Sequence, residues 1–182
     1  VAQLVTDGDV IGALALAYEA QRTAPDDLAA QRRYHRVLLL TPEKLPTLLD
    51  HARRFVPLLM RRDLASEALK VVRACMERDP AFQVDDGDTV LAFARLDWRS
   101  GNARAALAWL KGFDKRFRGH AAIPQAYELA ARVLVEGLDR VDLAKPILAV
   151  LEARHPEAPQ TQEVRWLLRD RSAPSAPLAP AA

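Results

Sequence analysis

Apolar residues recur along this chain every three to four positions and never alternate for long at every second one, which predicts amphipathic helices and no strands. The clearest stretch is residues 100–117, SGNARAALAWLKGFDKRF, small at Ala103 and Ala106 and bulky at Trp109, Leu110, Phe113 and Phe117. Shifting the chain by 38 residues places Ala106 on Ala144, Leu110 on Leu148 and Phe113 on Leu151. The reverse shift lands on Ala68, Val72 and Cys75, and a 55-residue step continues the series to Ala13, Ala17 and Ala20. Segments 9–24, 64–79, 103–117 and 142–155 therefore read as equivalent helices, with a small residue early and larger ones four and seven positions on, all on one face. Pro25, Pro80 and Pro156 follow three of them, where a helix cannot continue, and the fourth stops near Gly119.

Each of these helices needs a partner. Thr41 as N-cap with Pro42 behind it predicts a helix carrying Leu45, Leu48, Leu49, Ala52, Phe55, Val56 and Leu59, kinked at Pro57 and ending at Arg61 and Arg62. Asp88 is the expected cap of the next, with Val90, Phe93 and Ala94 inward, and a third runs from about Pro124 to Gly137. Gly101 and Gly137 stand only 36 residues apart, which implies a longer internal turn in the last pair. The 55-residue step leaves room for an extra helix at 26–40, and residues 1–6 are a truncated first partner. A closing helix at 163–169 follows. The expected fold is all-α, an α-solenoid of antiparallel helix pairs ending near 25, 80, 118 and 156, in one domain over 1–171 with a flexible Pro/Ala tail at 172–182. In such a stack Ala106 is small because two helix axes come close there, and Trp109, Leu110 and Phe113 are large because the axes splay beyond it. Trp109 and Trp166 are read as packing residues.

Composition narrows the function classes. The 26 basic and 24 acidic side chains are scattered, a mixed solvated surface with a net charge of +2, so no nucleic-acid partner is expected. No apolar run approaches the roughly 18 residues of a membrane span. A single cysteine, Cys75, cannot form an internal disulfide. The chain starts at Val1 and is rich in Ala, Arg and Leu, pointing to a fragment of a larger bacterial protein whose anchor, if it has one, lies upstream. The bacterial cytoplasm is the expected compartment, with the periplasm and a membrane-tethered position left open.

Chemistry-bearing motifs are sparse. His35, His51, His120 and His155 have no Cys or His at the spacing of metal ligands, so no metal site is expected. A dyad of His51 with Cys75 is conceivable, but Cys75 takes the core-facing position of Phe113 and Leu151, which favours a buried thiol. The DDGD run at 85–88 lacks the alternating ligands and closing Glu of a calcium loop and reads as linker and cap. No glycine-rich phosphate loop or nucleophile motif is present, so neither a cofactor nor catalysis is expected.

With its turn at Gly101, Ala106 at the crossing, the aromatic end at Phe113 and the closing Pro80 and Pro156, the chain over about 43–156, with a weaker half-repeat at 9–25, resembles the tetratricopeptide repeats. Its 38-residue spacing is similar to that of the longer repeats found in bacterial cell-envelope assembly proteins. The resemblance implies a non-catalytic scaffold whose first helices line a groove for a segment of a protein partner. In its best-known subgroup Lys and Asn grip a peptide carboxylate; the matching positions here hold Arg53, Arg61, Arg95 and Arg99, with no Asn. Those four and Trp98 are the candidate partner-binding residues, suited to bidentate contacts with an acidic peptide. Against this stands a surface role for the arginines, paired with Asp63 or Asp97, and a packing role for Trp98. A regulatory or sensor repeat domain binding a small ligand or nucleic acid is the alternative function. The truncated first pair is also an edge through which two copies could dimerise.

Overall fold

The protein is described here by a computed structural model, which covers residues 1–172. The Pro/Ala tail expected from 172 onward lies outside the described residues apart from Ser172, which ends the last helix. The described residues are all-α, with no strand among them, and form two compact units, one over Val1–Asp85 and one from Asp86 onward.

In the first unit α1 (Ala2–Thr6), α2 (Val10–Thr23), α3 (Leu28–Leu39), α4 (Leu45–Arg61) and α5 (Ala65–Met76) pack each against the next. The segment at 26–40 is thus no appendage, because α3 packs on α2 on one side and α4 on the other. Thr41 does not cap the helix that follows; its buried hydroxyl donates back to the carbonyls of Val37 and Leu38 at 3.3 and 3.0 Å, closing the end of α3. Pro42–Lys44 form a single 3₁₀ turn before α4. Pro57 lies within an unbroken α4, on its exposed side, where water can satisfy the carbonyl that a proline leaves unbonded. Leu48, Ala52, Phe55, Val56 and Leu59 are the buried stripe of α4, each large one contributing roughly 1.5 to 3 kcal/mol by burial.

The second unit holds α6 (Gly87–Arg99), α7 (Ala103–Leu110), α8 (Phe113–Arg116), α9 (Ile123–Arg132), α10 (Val141–Arg154) and α11 (Pro159–Ser172). The cap of α6 is Asp86 and not Asp88: the Asp86 carboxylate accepts from the Thr89 backbone at 2.8 Å, and Asp88 sits in the first turn, where its charge meets the helix dipole. The 103–117 segment is two helices, because Gly112 takes a left-handed φ of 68° and ends α7 early. Helix α11 starts before residue 163 and packs on α9 and α10, burying Val164 and Leu168 against Leu134, Val135, Ala144 and Leu151. Trp166, read above as packing, is 60% exposed on the outer side of α11.

Conformation repeats more faithfully than residue type. Positive φ occurs at Gly8, Asp63, Gly101 and Asp139, the turns that precede α2, α5, α7 and α10, spaced 55, 38 and 38 residues apart. Asp tolerates the left-handed region because its short side chain can bond locally, so two of the four turns lack the glycine that marks the others. At three of them the amide three residues past the last helical residue reaches back five residues, Asp9 to Leu4 at 2.9 Å, Leu64 to Leu59 at 3.0 Å and Asn102 to Asp97 at 2.8 Å. At the fourth, Arg140 reaches Leu134, one residue further, because α9 ends in a π turn over Val133–Gly137. Gly137 belongs to that wide turn and is not the counterpart of Gly101, so the expected longer loop is an extra residue inside the helix end.

Five residues after each of these turns stands an alanine, Ala13, Ala68, Ala106 or Ala144, and every one has 0% exposure. Replacing Ala106 with Leu should overpack the crossing and cost about 1 to 3 kcal/mol, read as a fall in urea midpoint; an unchanged midpoint would contradict the close approach. A Cβ at Gly101 meets nothing within 4 Å, so Gly101→Ala isolates backbone strain and should cost about 1 to 2 kcal/mol without disturbing any packing.

Candidate functional site

The five candidate residues fall on α4 and α6, in different units. Arg53 is engaged: its guanidinium donates to Asp50 at 2.8 Å and lies 5.6 Å from the centre of the buried Phe82 ring. Arg61, in the last turn of α4, is exposed and has no ion pair among the described residues. On α6, Arg95 and Arg99 stand one turn apart on the exposed side, also without ion pairs among the described residues. The acid expected to pair with them does something else. Asp97 is 2% exposed and accepts from the Trp109 indole at 2.8 Å, at the position where the preceding pair carries Leu59.

Trp98 packs. It is half-buried, and a Cβ built on Gly137 would come within 2.5 Å of the Trp98 ring and 3.0 Å of the Ala103 methyl. Only glycine lets the π turn of α9 approach that closely, so Trp98 joins neighbouring helices of the second unit. Asp63 carries a left-handed turn, with no ion pair to Arg61 among the described residues.

The histidines reveal a cluster that spacing along the chain did not show. His35 of α3 and His51 of α4 are 7% and 1% exposed, with ring centroids 5.6 Å apart. Tyr34 meets His51 edge-on, and Phe55 stacks on it at 5.3 Å. Nδ1 of His35 and Nε2 of His51 are buried without a hydrogen-bond partner. Burial, then the cationic Arg78, lowers His35 to about 4. Burial, then His35 and Arg54, lowers His51 to about 3, against a hydrogen bond with the Gln31 backbone. Both are therefore neutral near pH 7. No third His, Cys, Asp or Glu converges with them among the described residues, and the pair packs within an aromatic core cluster. Cys75 is fully buried, and burial pushes its thiol up to about 11, so it stays protonated and unreactive near neutral pH.

Two concavities bear on binding chemistry, one in each unit. In the first, α3 and α5 flank an open cleft of about 510 Å³ over His35 and Phe55, spanned by Arg32, which donates to Glu67 at 2.7 and 2.6 Å. In the second, Leu110, Phe113, Ile123, Ala126, Leu134 and Ile147 surround a mostly apolar cavity of about 210 Å³. Lys111, Asp114 and Tyr127 also line it. Burial, then a hydrogen bond to Asp114, raises the Tyr127 hydroxyl above its ordinary value, and Arg154 lies 3.7 Å from the same carboxylate.

The neutral histidine pair sets an acid limb. Unfolded imidazoles take up protons below about pH 6.5, while the buried ones resist until about 4 and about 3. The unfolded chain then binds more protons, so stability is complete above that range and falls as pH drops through it, by up to about 1.4 kcal/mol per pH unit for each histidine. Urea unfolding from pH 7 to 4 should show this slope, and His51→Phe should remove one proton's share of it.

No protein-family model matches the chain. No curated protein matches it either. Among solved structures it is similar to YrrB, a TPR protein with an unusual peptide-binding site, at 14% identity over 90% of this chain and 87% of that one, with a TM-score of 0.46.

Proposed function

We propose that this chain is a non-catalytic protein-interaction scaffold that holds an acidic segment of a protein partner through arginines on its helix pairs. The observation that carries this reading is the outer face of α6, where Arg95 and Arg99 are exposed and without ion pairs among the described residues. Charged side chains with no internal partner contribute little to stability and are free to make charge-assisted contacts with another molecule. Arg61 on α4, also exposed and without an ion pair among the described residues, offers the same chemistry within the first unit. Arg53 and Trp98 support the helices on which these residues stand: Arg53 covers Phe82 and Trp98 closes over Gly137. Guanidinium groups select carboxylates on the partner, and without the Asn of the carboxylate-gripping subgroup they read acidic side chains and not a chain terminus.

The test is a pull-down from the source cell with the wild-type chain and an Arg61→Glu, Arg95→Glu, Arg99→Glu variant. These surface changes should leave thermal stability nearly unchanged. A bona fide partner should be captured at least about tenfold less well by the variant, equivalent to 1.4 kcal/mol, and be released from the wild type by salt. Equal capture by both would move the binding face elsewhere, and no specific partner for either would remove the scaffold reading.

A further inference from the structure

The cavity in the second unit exists because one helix departs from the repeat. Position 112 corresponds to Ala74 of α5 and Val150 of α10, both inside unbroken helices, whereas Gly112 adopts φ 68° and stops α7 two residues earlier at Leu110. The chain resumes as α8 with Phe113 inward. Across the gap α9 presents Ala126 and Ala130, small residues one turn apart, with Tyr127 beside them. The result is a half-open, mostly apolar pocket of about 210 Å³. The pocket is half open to the surface, and larger side chains at Ala126 or Ala130 would fill it. Departures of this kind concentrate where a site is needed.

Size and chemistry define the occupant. An enclosed apolar cavity of about 150 Å³ takes a benzene ring, and this half-open pocket of about 210 Å³ has room for a larger fused ring. Its acidic group, Asp114, sits in the lining with Tyr127, and Arg154 stands 3.7 Å from its carboxylate. A carboxylate offers about four acceptor positions, so it has capacity left for a donor that arrives with the ring. We infer that the cavity framed by α7, α8, α9 and α10 binds one aromatic ring carrying an N–H donor, an indole or its equivalent, with the ring among Leu110, Phe113, Ile123 and Ile147 and its N–H directed to Asp114. This site does not rest on the scaffold reading, since it involves none of Arg61, Arg95 or Arg99. Two sources supply that chemistry, a free indole-like molecule and a tryptophan side chain of a partner.

Isothermal titration calorimetry on the full chain with indole, 1-methylindole and N-acetyltryptophanamide tests it. Indole is expected to bind one-to-one in the submillimolar range, and 1-methylindole, which lacks the donor, about fivefold or more weakly. Ala130→Leu, which fills the cavity, should abolish indole binding; a melting temperature at or above wild type for that variant shows that it is folded. Binding of N-acetyltryptophanamide equal to that of indole assigns the site to a partner side chain, and binding of indole alone assigns it to a free molecule. No saturable heat with indole or N-acetyltryptophanamide on the wild-type chain, or indole binding undiminished in a folded Ala130→Leu variant, overturns the proposal.

Discussion

Four alanines with no exposed surface, Ala13, Ala68, Ala106 and Ala144, set the helix separation on which the rest of the protein depends. Each stands five residues after a left-handed turn, so the turn fixes where the second helix begins and the alanine fixes how near it lies. A methyl group at the crossing lets two backbones approach, and the splay beyond it has to be filled, which is the work of Val72, Leu110 and Phe113. The size gradient along each second helix follows from helix geometry. Each pair leaves apolar surface that only the next element can cover, as α11 does for α9 and α10.

Within that frame the two units handle buried polarity differently. The second satisfies it: Asp97, at a position that is leucine in the preceding pair, holds the Trp109 indole, and the exchange of an apolar contact for a charge-assisted hydrogen bond fixes the orientation of a large ring. The first satisfies Thr41 but leaves its histidines partly open. His35 and His51 lie among aromatic rings with one nitrogen each unpartnered, tolerable only while both imidazoles are neutral. The same burial holds the Cys75 thiol inert, so the reactive-looking residues of the first unit are core residues by virtue of their surroundings.

On the proposed readings, the basic surface and the apolar pocket would be two ways for a repeat to carry specificity. Exposed guanidinium groups on α6 change nothing in the packing beneath them. The cavity is a change in the packing itself, made by one glycine that ends α7 and two alanines that decline to fill the space. The first kind of feature sets charge preference and salt dependence, while the second sets shape.

The sequence by itself determined the helical class, the 38-residue spacing and the identity of the crossing alanines, because these depend on periodicity and residue size, which are local and repeat. It also marked Cys75 as buried, since a core position recurs with its register. Tertiary structure alone decided the turns at Asp63 and Asp139, where left-handed backbone is carried by a residue that does not advertise it. It alone decided that Asp86 caps α6, that α9 ends in a π turn and that α7 breaks at Gly112, because competing caps and helix ends differ by amounts that packing overrides. The fates of Trp98, Asp97, His35 and His51 were illegible for one physical reason: what each does depends on a residue of another helix, and distance along the chain says nothing about which helix that is.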